Sequence, residues 1–186
     1  LTLDGLQNTK AVQGKNIFGN SIEIQMNPQL TSIKGLNSLN GHLKGALVVA
    51  DNPWLKNLDG LQHITGIMSA NSLADALSVH GNTALTSLEA LATLSLVHGS
   101  MSVYQNTELT NIVALEQGLD VSGNIYIQDV KCISGIDHEV MNQSCKWLSI
   151  VTMDAIHALR SLLDKGSPHG RYNPLFLRRL GTLRPH

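Results

Sequence analysis

The amino-acid sequence predicts a mainly β protein, a parallel β-helix whose short coils stack into a solenoid. The first observation is a phrase, Asn-x-x-Leu-x-x-(Leu/Ile)-x-x-Leu, that occurs four times at spacings of 25, 30 and 24 residues. Phrases repeated at such periods are typical of solenoid proteins. The second is an apolar-x-apolar pattern that begins five residues before each Asn. It indicates a short strand with one face in the core.

The predicted strands repeat once per coil, at residues 22–24, 47–49, 77–79, 101–103 and 125–127. Coil stacking would place them side by side in a parallel sheet, about 4.8 Å apart. The residue two positions before each strand is of a type that tolerates a left-handed or locally hydrogen-bonded turn, which predicts a corner there. These corner residues are Asn20, Gly45, Asp75, Gly99 and Gly123.

The repeated asparagines, Asn27, Asn52, Asn82 and Asn106, follow the strands directly. A chain that turns inward after a strand leaves backbone amides without ladder partners. A carboxamide can satisfy them, because it is donor and acceptor at once. We therefore expect all four side chains to point inward as a structural ladder.

The first residues belong to a coil that is already under way. Leu3-Asp-Gly-Leu6-Gln recurs almost unchanged as Leu58-Asp-Gly-Leu61-Gln, so the strand and asparagine of the first coil are missing. We expect a truncated solenoid over residues 1–145. Its two 30-residue coils should carry their extra residues within 7–19 and 62–74.

The chain changes character after the repeats. Residues 1–145 carry 6 lysines and 12 acidic residues, whereas residues 146–186 carry 7 basic and 2 acidic ones. Apolar residues at helical spacing predict a helix over 146–165 that caps the solenoid. Residues 166–186 form an Arg-rich tail, interpreted either as a solvated disordered end or as a contact to a membrane surface or an acidic partner.

Composition and motifs argue against catalysis and against nucleic acid. The net charge of -1 disfavours a general polyanion binder. The histidines of the repeats fall at different repeat phases, and no phosphate-binding loop or Gly-x-Ser-x-Gly motif occurs. The ladder offers only Glu23, Asp51 and Asp129 as carboxylates. We expect a protein that is not an enzyme and that binds no metal or cofactor.

The run Gly-x-Leu-x-Val-x-x-Asn-x-x-Leu-x-x-Leu-x-x-Leu, as in residues 45–61, resembles the receptor L-domain repeat. That repeat occurs in insulin and epidermal growth factor receptors and in fungal GPI-anchored cell-wall proteins. The resemblance covers about residues 1–137 and implies a right-handed, single-stranded β-helix at the cell surface or outside the cell. An ordinary leucine-rich repeat is the alternative, although it usually places the next leucine two residues after the asparagine. Here the gap is three.

A secreted family also suggests a disulfide. Cys132 and Cys145, the only cysteines, lie together at the end of the repeats, and the single glycosylation sequon at Asn142 falls between them. We expect these cysteines to be bonded, with two buried free thiols as the alternative.

The outward positions of the strands offer the surface that is free to vary between coils. His80, Tyr104, Tyr126 and Gln128 gather on neighbouring strands and are predicted to form a binding patch, with Trp54 as a second candidate anchor. The sequence favours an extracellular binding or adhesion module whose partner is a protein or a cell-wall polysaccharide. The alternative is a structural wall or coat protein without a specific ligand. Membrane association would come only through missing parts of the precursor.

Overall fold

The computed structural model describes residues 1–115 and 119–130. The predicted capping helix at 146–165, the basic tail at 166–186, the cysteine pair and Asn142 lie outside the described residues. The strands, in chain order, are β1 (Asn20–Gln25), β2 (Gly41–Leu43), β3 (Ala46–Ala50), β4 (Ile64–Ile67), β5 (Asp75–His80), β6 (Leu96–Val97), β7 (Ser100–Tyr104), β8 (Asp120–Val121) and β9 (Ile125–Gln128).

The strands form two parallel sheets, which confirms the predicted β-solenoid. The five predicted strands make up the first sheet, in the order β1-β3-β5-β7-β9. Every pair in it is parallel and joins the corresponding residues of successive coils. A second sheet, β2-β4-β6-β8, was not predicted. Two of its strands are only two residues long, too short to show an alternating pattern.

The interior is a column of Leu, Ile, Val and Ala between the sheets and the turns. In the second coil, Leu55, Leu58 and Leu61 of the repeated phrase have no exposed surface. The closing leucine of three phrases ends a single turn of 3-10 helix, at Lys34–Leu36, Glu89–Leu91 and Val113–Leu115. Each coil therefore makes one turn around a shared apolar core, which a single coil could not close.

The asparagines form the predicted inward ladder. The Asn82 Oδ1 accepts hydrogen bonds from the backbone N–H of Asn52 at 3.2 Å and from its side-chain Nδ2 at 3.2 Å. The Asn82 Nδ2 in turn donates to the carbonyls of Val49 and His80, both at 2.9 Å. Asn52, Asn82 and Asn106 have no exposed surface. Asn27 is only half-buried because it stands at the end of the ladder.

Left-handed backbone occurs at a different corner from the predicted one. Of the five predicted corner residues, only Gly99 has a positive φ, 142°. The regular left-handed position is instead the residue immediately before each of the four asparagines and before Val130, which takes the corresponding position in the last coil. It is occupied by Met26, Asp51, Gly81, Gln105 and Asp129, with φ between 51° and 66°. The inward turn of the asparagine requires this conformation whatever side chain is present, so residue type did not reveal it.

Two five-residue loops, residues 16–20 and 71–75, contain the extra length of the 30-residue coils. In each loop the first residue is an asparagine whose Oδ1 accepts two backbone N–H groups, those of Phe18 and Asn20 in one and of Leu73 and Asp75 in the other. We call them the paired loops, because the Ser72 N–H donates to the Phe18 carbonyl at 2.8 Å. Four of the five residues of each loop, 16–19 and 71–74, lie within the segments predicted to hold the extra residues.

Gly45 lies at the short corner between the paired loops. The Gly19 carbonyl accepts a hydrogen bond from the Ala46 N–H at 2.9 Å, which brings that oxygen directly over Gly45. A Cβ at position 45 would collide with this oxygen and would lie 2.8 Å from the Cβ of Lys15. A glycine is therefore required for close approach and not for a left-handed turn.

We predict that Asn82→Ala lowers the free energy of unfolding by about 1 to 3 kcal/mol, because it leaves buried backbone groups without partners. Asn27→Ala removes a half-buried ladder end and should cost less than about 1 kcal/mol. Urea denaturation of both variants measures the difference. Equal costs at the two positions would contradict the buried ladder.

We also predict that Gly45→Ala lowers the free energy of unfolding by about 1 to 3 kcal/mol through overpacking against a fixed backbone oxygen. Gly14→Ala is the matched control, since a Cβ at position 14 meets nothing within 4 Å. That variant should be neutral or slightly stabilising, because it restricts only the unfolded chain. A lower melting temperature for the Gly14 variant than for the Gly45 variant would refute this account of the corner.

Candidate binding face

The register of the first sheet places the predicted site residues on neighbouring strands. His80 of β5 pairs with Tyr104 of β7, and Tyr104 pairs with Gln128 of β9. In the adjacent outward row, Ser102 pairs with Tyr126. The structure therefore brings the four residues together, and we call the outward side of this sheet around them the binding face.

The outward side is not uniformly accessible. Val48 and Ser78 are buried, at 7% and 5% exposure, and Ala50 has no exposed surface. Tyr126, in contrast, keeps 39% of its surface exposed, and His80, Tyr104 and Gln128 are half-buried. On this side of the sheet, accessible aromatic surface is thus concentrated on β5, β7 and β9.

Three of the predicted residues form an aromatic cluster. The rings of His80 and Tyr104 are stacked, with centroids 4.5 Å apart and planes 8° from parallel. The ring of Tyr126 contacts Tyr104 edge-on, at 5.9 Å and 67°. This spacing follows from the sheet, since neighbouring parallel strands are about 4.8 Å apart and aligned side chains meet face to face. The strands thus hold the cluster in a fixed arrangement.

Carboxylates border the aromatic cluster. The Ser102 hydroxyl donates to Asp75 Oδ1 at 2.7 Å. Ser102 precedes Tyr104 by two residues on β7, so the Asp75 carboxylate of β5 lies beside that part of β7. Asp51 packs against Gly81, whose N–H donates to the Tyr104 carbonyl at 3.2 Å. Burial, followed by the charges of Asp75 and Asp51 and by Tyr126, raises the pKa of the Tyr104 phenol. The environment of Tyr104 therefore disfavours negative charge.

Sequence reasoning found the aromatic cluster but missed its acidic border. It counted Asp51 and Asp129 only when weighing catalysis, and it assigned Asp75 to a corner. The sequence signal for the acidic border was the position of Asp51 and Asp129, each just after a predicted strand and so at the same end of the parallel sheet. Trp54, the second candidate anchor, is 60% exposed in the turn after Asn52 and is not part of the cluster.

Within residues 1–115 and 119–130, no group of three or more His, Cys, Asp or Glu side chains could hold a metal ion. The helical elements of the same residues are single turns, and none is long and apolar enough to span a membrane. Comparison with known protein families, with curated proteins and with solved structures gave no match.

We predict that the Tyr104 phenol loses its proton at a higher pH than a free tyrosine, because its pKa is raised in the folded chain. Absorbance at 295 nm, compared between the parent and Tyr104→Phe, should show that Tyr104 ionises above the usual value of about 10. Asp75→Asn should lower this pKa, because it removes one of the charges that oppose the phenolate. An unchanged titration in the Asp75 variant would contradict the proximity of the two groups.

Ionisation of Tyr104 is coupled to the stability of the fold, because its pKa is raised in the folded state. The folded state holds the Tyr104 proton more tightly than the unfolded state. Its contribution is therefore fully present below the unfolded pKa and is lost as pH rises through the folded pKa. The parent should lose stability over this alkaline interval, whereas Tyr104→Phe should lack that part of the loss in urea denaturation.

Proposed function

We propose that the chain is a non-enzymatic extracellular binding or adhesion module, of the kind found in cell-surface receptor-like proteins, and that its partner docks on the binding face. The observation that supports this most is the aromatic cluster. The ring of Tyr104 contacts those of His80 and Tyr126 on the two neighbouring strands, and all three residues remain partly open to solvent. Tyrosines in such fixed positions are the side chains that most often anchor protein interfaces.

The architecture supports the same function. The repeats place most of their apolar residues and asparagines in the core, so the outward strand positions can differ from coil to coil without loss of the fold. A sheet held by parallel ladders also changes little on binding. The ordering cost of complex formation is then small.

The proposed setting rests on the sequence. The receptor L-domain resemblance, the sequon at Asn142 and the two cysteines at the end of the repeats fit a secreted chain. The partner would be another protein or a polysaccharide of the cell wall. A purely structural wall protein, the alternative, would need no exposed aromatic cluster.

We predict that Tyr104→Ala combined with Tyr126→Ala weakens partner binding by at least about 2 kcal/mol, because it removes the central anchors of the face. The melting temperature should change little, since both rings lie outside the core. A partner is first identified by screening the purified chain on arrays of cell-surface ectodomains and wall polysaccharides. Biolayer interferometry then compares the variants.

The matched control is His42→Ala combined with Thr65→Ala, which alters accessible positions of the second sheet. This variant should bind as the parent does. A partner whose affinity follows His42 and Thr65 but ignores the two tyrosines would show that the proposed face is wrong. A hydrolase activity abolished by one carboxylate substitution would reject the non-enzymatic function.

A further inference from the structure

The charged side chains of the first sheet, which includes the binding face, are almost all acidic. The five strands of the first sheet and the residue that follows each of them contain four carboxylates and neither Lys nor Arg. The carboxylates are Glu23, Asp51, Asp75 and Asp129. His80 is the only basic side chain on the same elements. The lysines of the described residues, Lys10, Lys15, Lys34, Lys44 and Lys56, lie on the loops and turns.

The hydrogen bonds to these carboxylates come from neutral groups. Asp75 accepts from the Ser102 hydroxyl, and Asp129 accepts from the Gln128 amide at 3.3 Å. Glu23 accepts from the side-chain amides of Asn16, Asn20 and Gln25, at 2.6 to 2.9 Å. These bonds orient the carboxylates without cancelling their charge. A negative potential therefore extends over the face.

Three of the four carboxylates lie at the ends of β3, β5 and β9, on or next to the strands that carry the aromatic cluster. Asp51 and Asp129 directly follow β3 and β9, at the C-terminal ends of the strands. Asp75 is the first residue of β5 and lies at the opposite, N-terminal ends. His80 and Tyr104 each use one ring face in their stack and are half-buried, whereas the turned ring of Tyr126 belongs to an exposed residue.

We propose that the binding face recognises an extended, arginine-bearing segment of a partner protein. A guanidinium group stacks on tyrosine rings and forms bidentate hydrogen bonds with carboxylates, so it matches both components of the face. An anionic surface or polymer would be repelled. This inference deepens the proposed function and rests on it, because it assigns a ligand chemistry to the same face.

The test uses a peptide probe and the full chain. The probe is an acetylated and amidated peptide, Gly-Arg-Ser-Arg-Ser-Arg-Gly. In its control peptide citrulline replaces every arginine, which keeps the shape and removes the charge. Isothermal titration in 20 mM salt should show binding of the arginine peptide and at least about tenfold weaker binding of the citrulline peptide. Raising the salt to 150 mM should weaken arginine binding several-fold.

Asp51→Asn combined with Asp129→Asn removes two charges from the face. Both residues have positive φ, 55° and 51°, a conformation that asparagine adopts readily, so the variant should fold. It should bind the arginine peptide at least about fivefold more weakly. Glu89→Gln combined with Asp120→Asn removes two exposed charges elsewhere and should bind as the parent does.

Two outcomes would overturn the inference and leave the proposed function standing. In the first, the Asp51 and Asp129 variant binds the peptide as the parent does, although the partner found on the arrays still needs Tyr104 and Tyr126. In the second, the peptide binds only after Arg171, Arg178, Arg179 and Arg184 are changed to Gln. The occupant would then be the tail of the chain itself.

Discussion

Everything in this solenoid depends on how the backbone is satisfied where it leaves each strand and turns inward. At that point the amides of one coil lie beyond the strand ladder, and burial without a partner would be costly. The carboxamide of the next coil's asparagine supplies the acceptor, and its N–H groups take up two carbonyls, as Asn82 does for Asn52, Val49 and His80. These asparagine hydrogen bonds join neighbouring coils at equivalent positions of the repeat. They therefore set the register of the first sheet.

That register explains the binding face without any contribution from the core. His80 and Tyr104 are separated by 24 residues in the chain, the length of one coil, and the ladder brings them into direct ring contact. The stack therefore results from coil length, whereas the choice of rings and carboxylates is left to the outward positions. The core and the proposed recognition surface are encoded by different faces of the same strands.

Sequence reasoning recovered what repeats and missed what does not. The first-sheet strands and the inward asparagines were predicted, because each occupies the same position in successive coils. The second sheet was missed, since pairs such as Leu96–Val97 are too short for a pattern. Left-handed residues such as Met26 and Gln105 were missed because the turn, and not the side chain, imposes their conformation. The contribution of Asp75 to the acidic border was missed because its contact with Ser102 depends on three-dimensional neighbours.

The paired loops have a consequence for how the chain finds a single alignment. Coils built on one phrase are nearly interchangeable, so a solenoid could in principle assemble with its coils shifted by one step or exchanged between two molecules. The loops at 16–20 and 71–75 belong to two coils that are longer than the coil between them. The Asn71 Nδ2 donates to the Asn20 Oδ1 at 3.1 Å, across that shorter coil. A shifted arrangement would separate the two loops and crowd the corner at Gly45. The coils of unequal length therefore favour a single alignment of the repeats over shifted or exchanged ones.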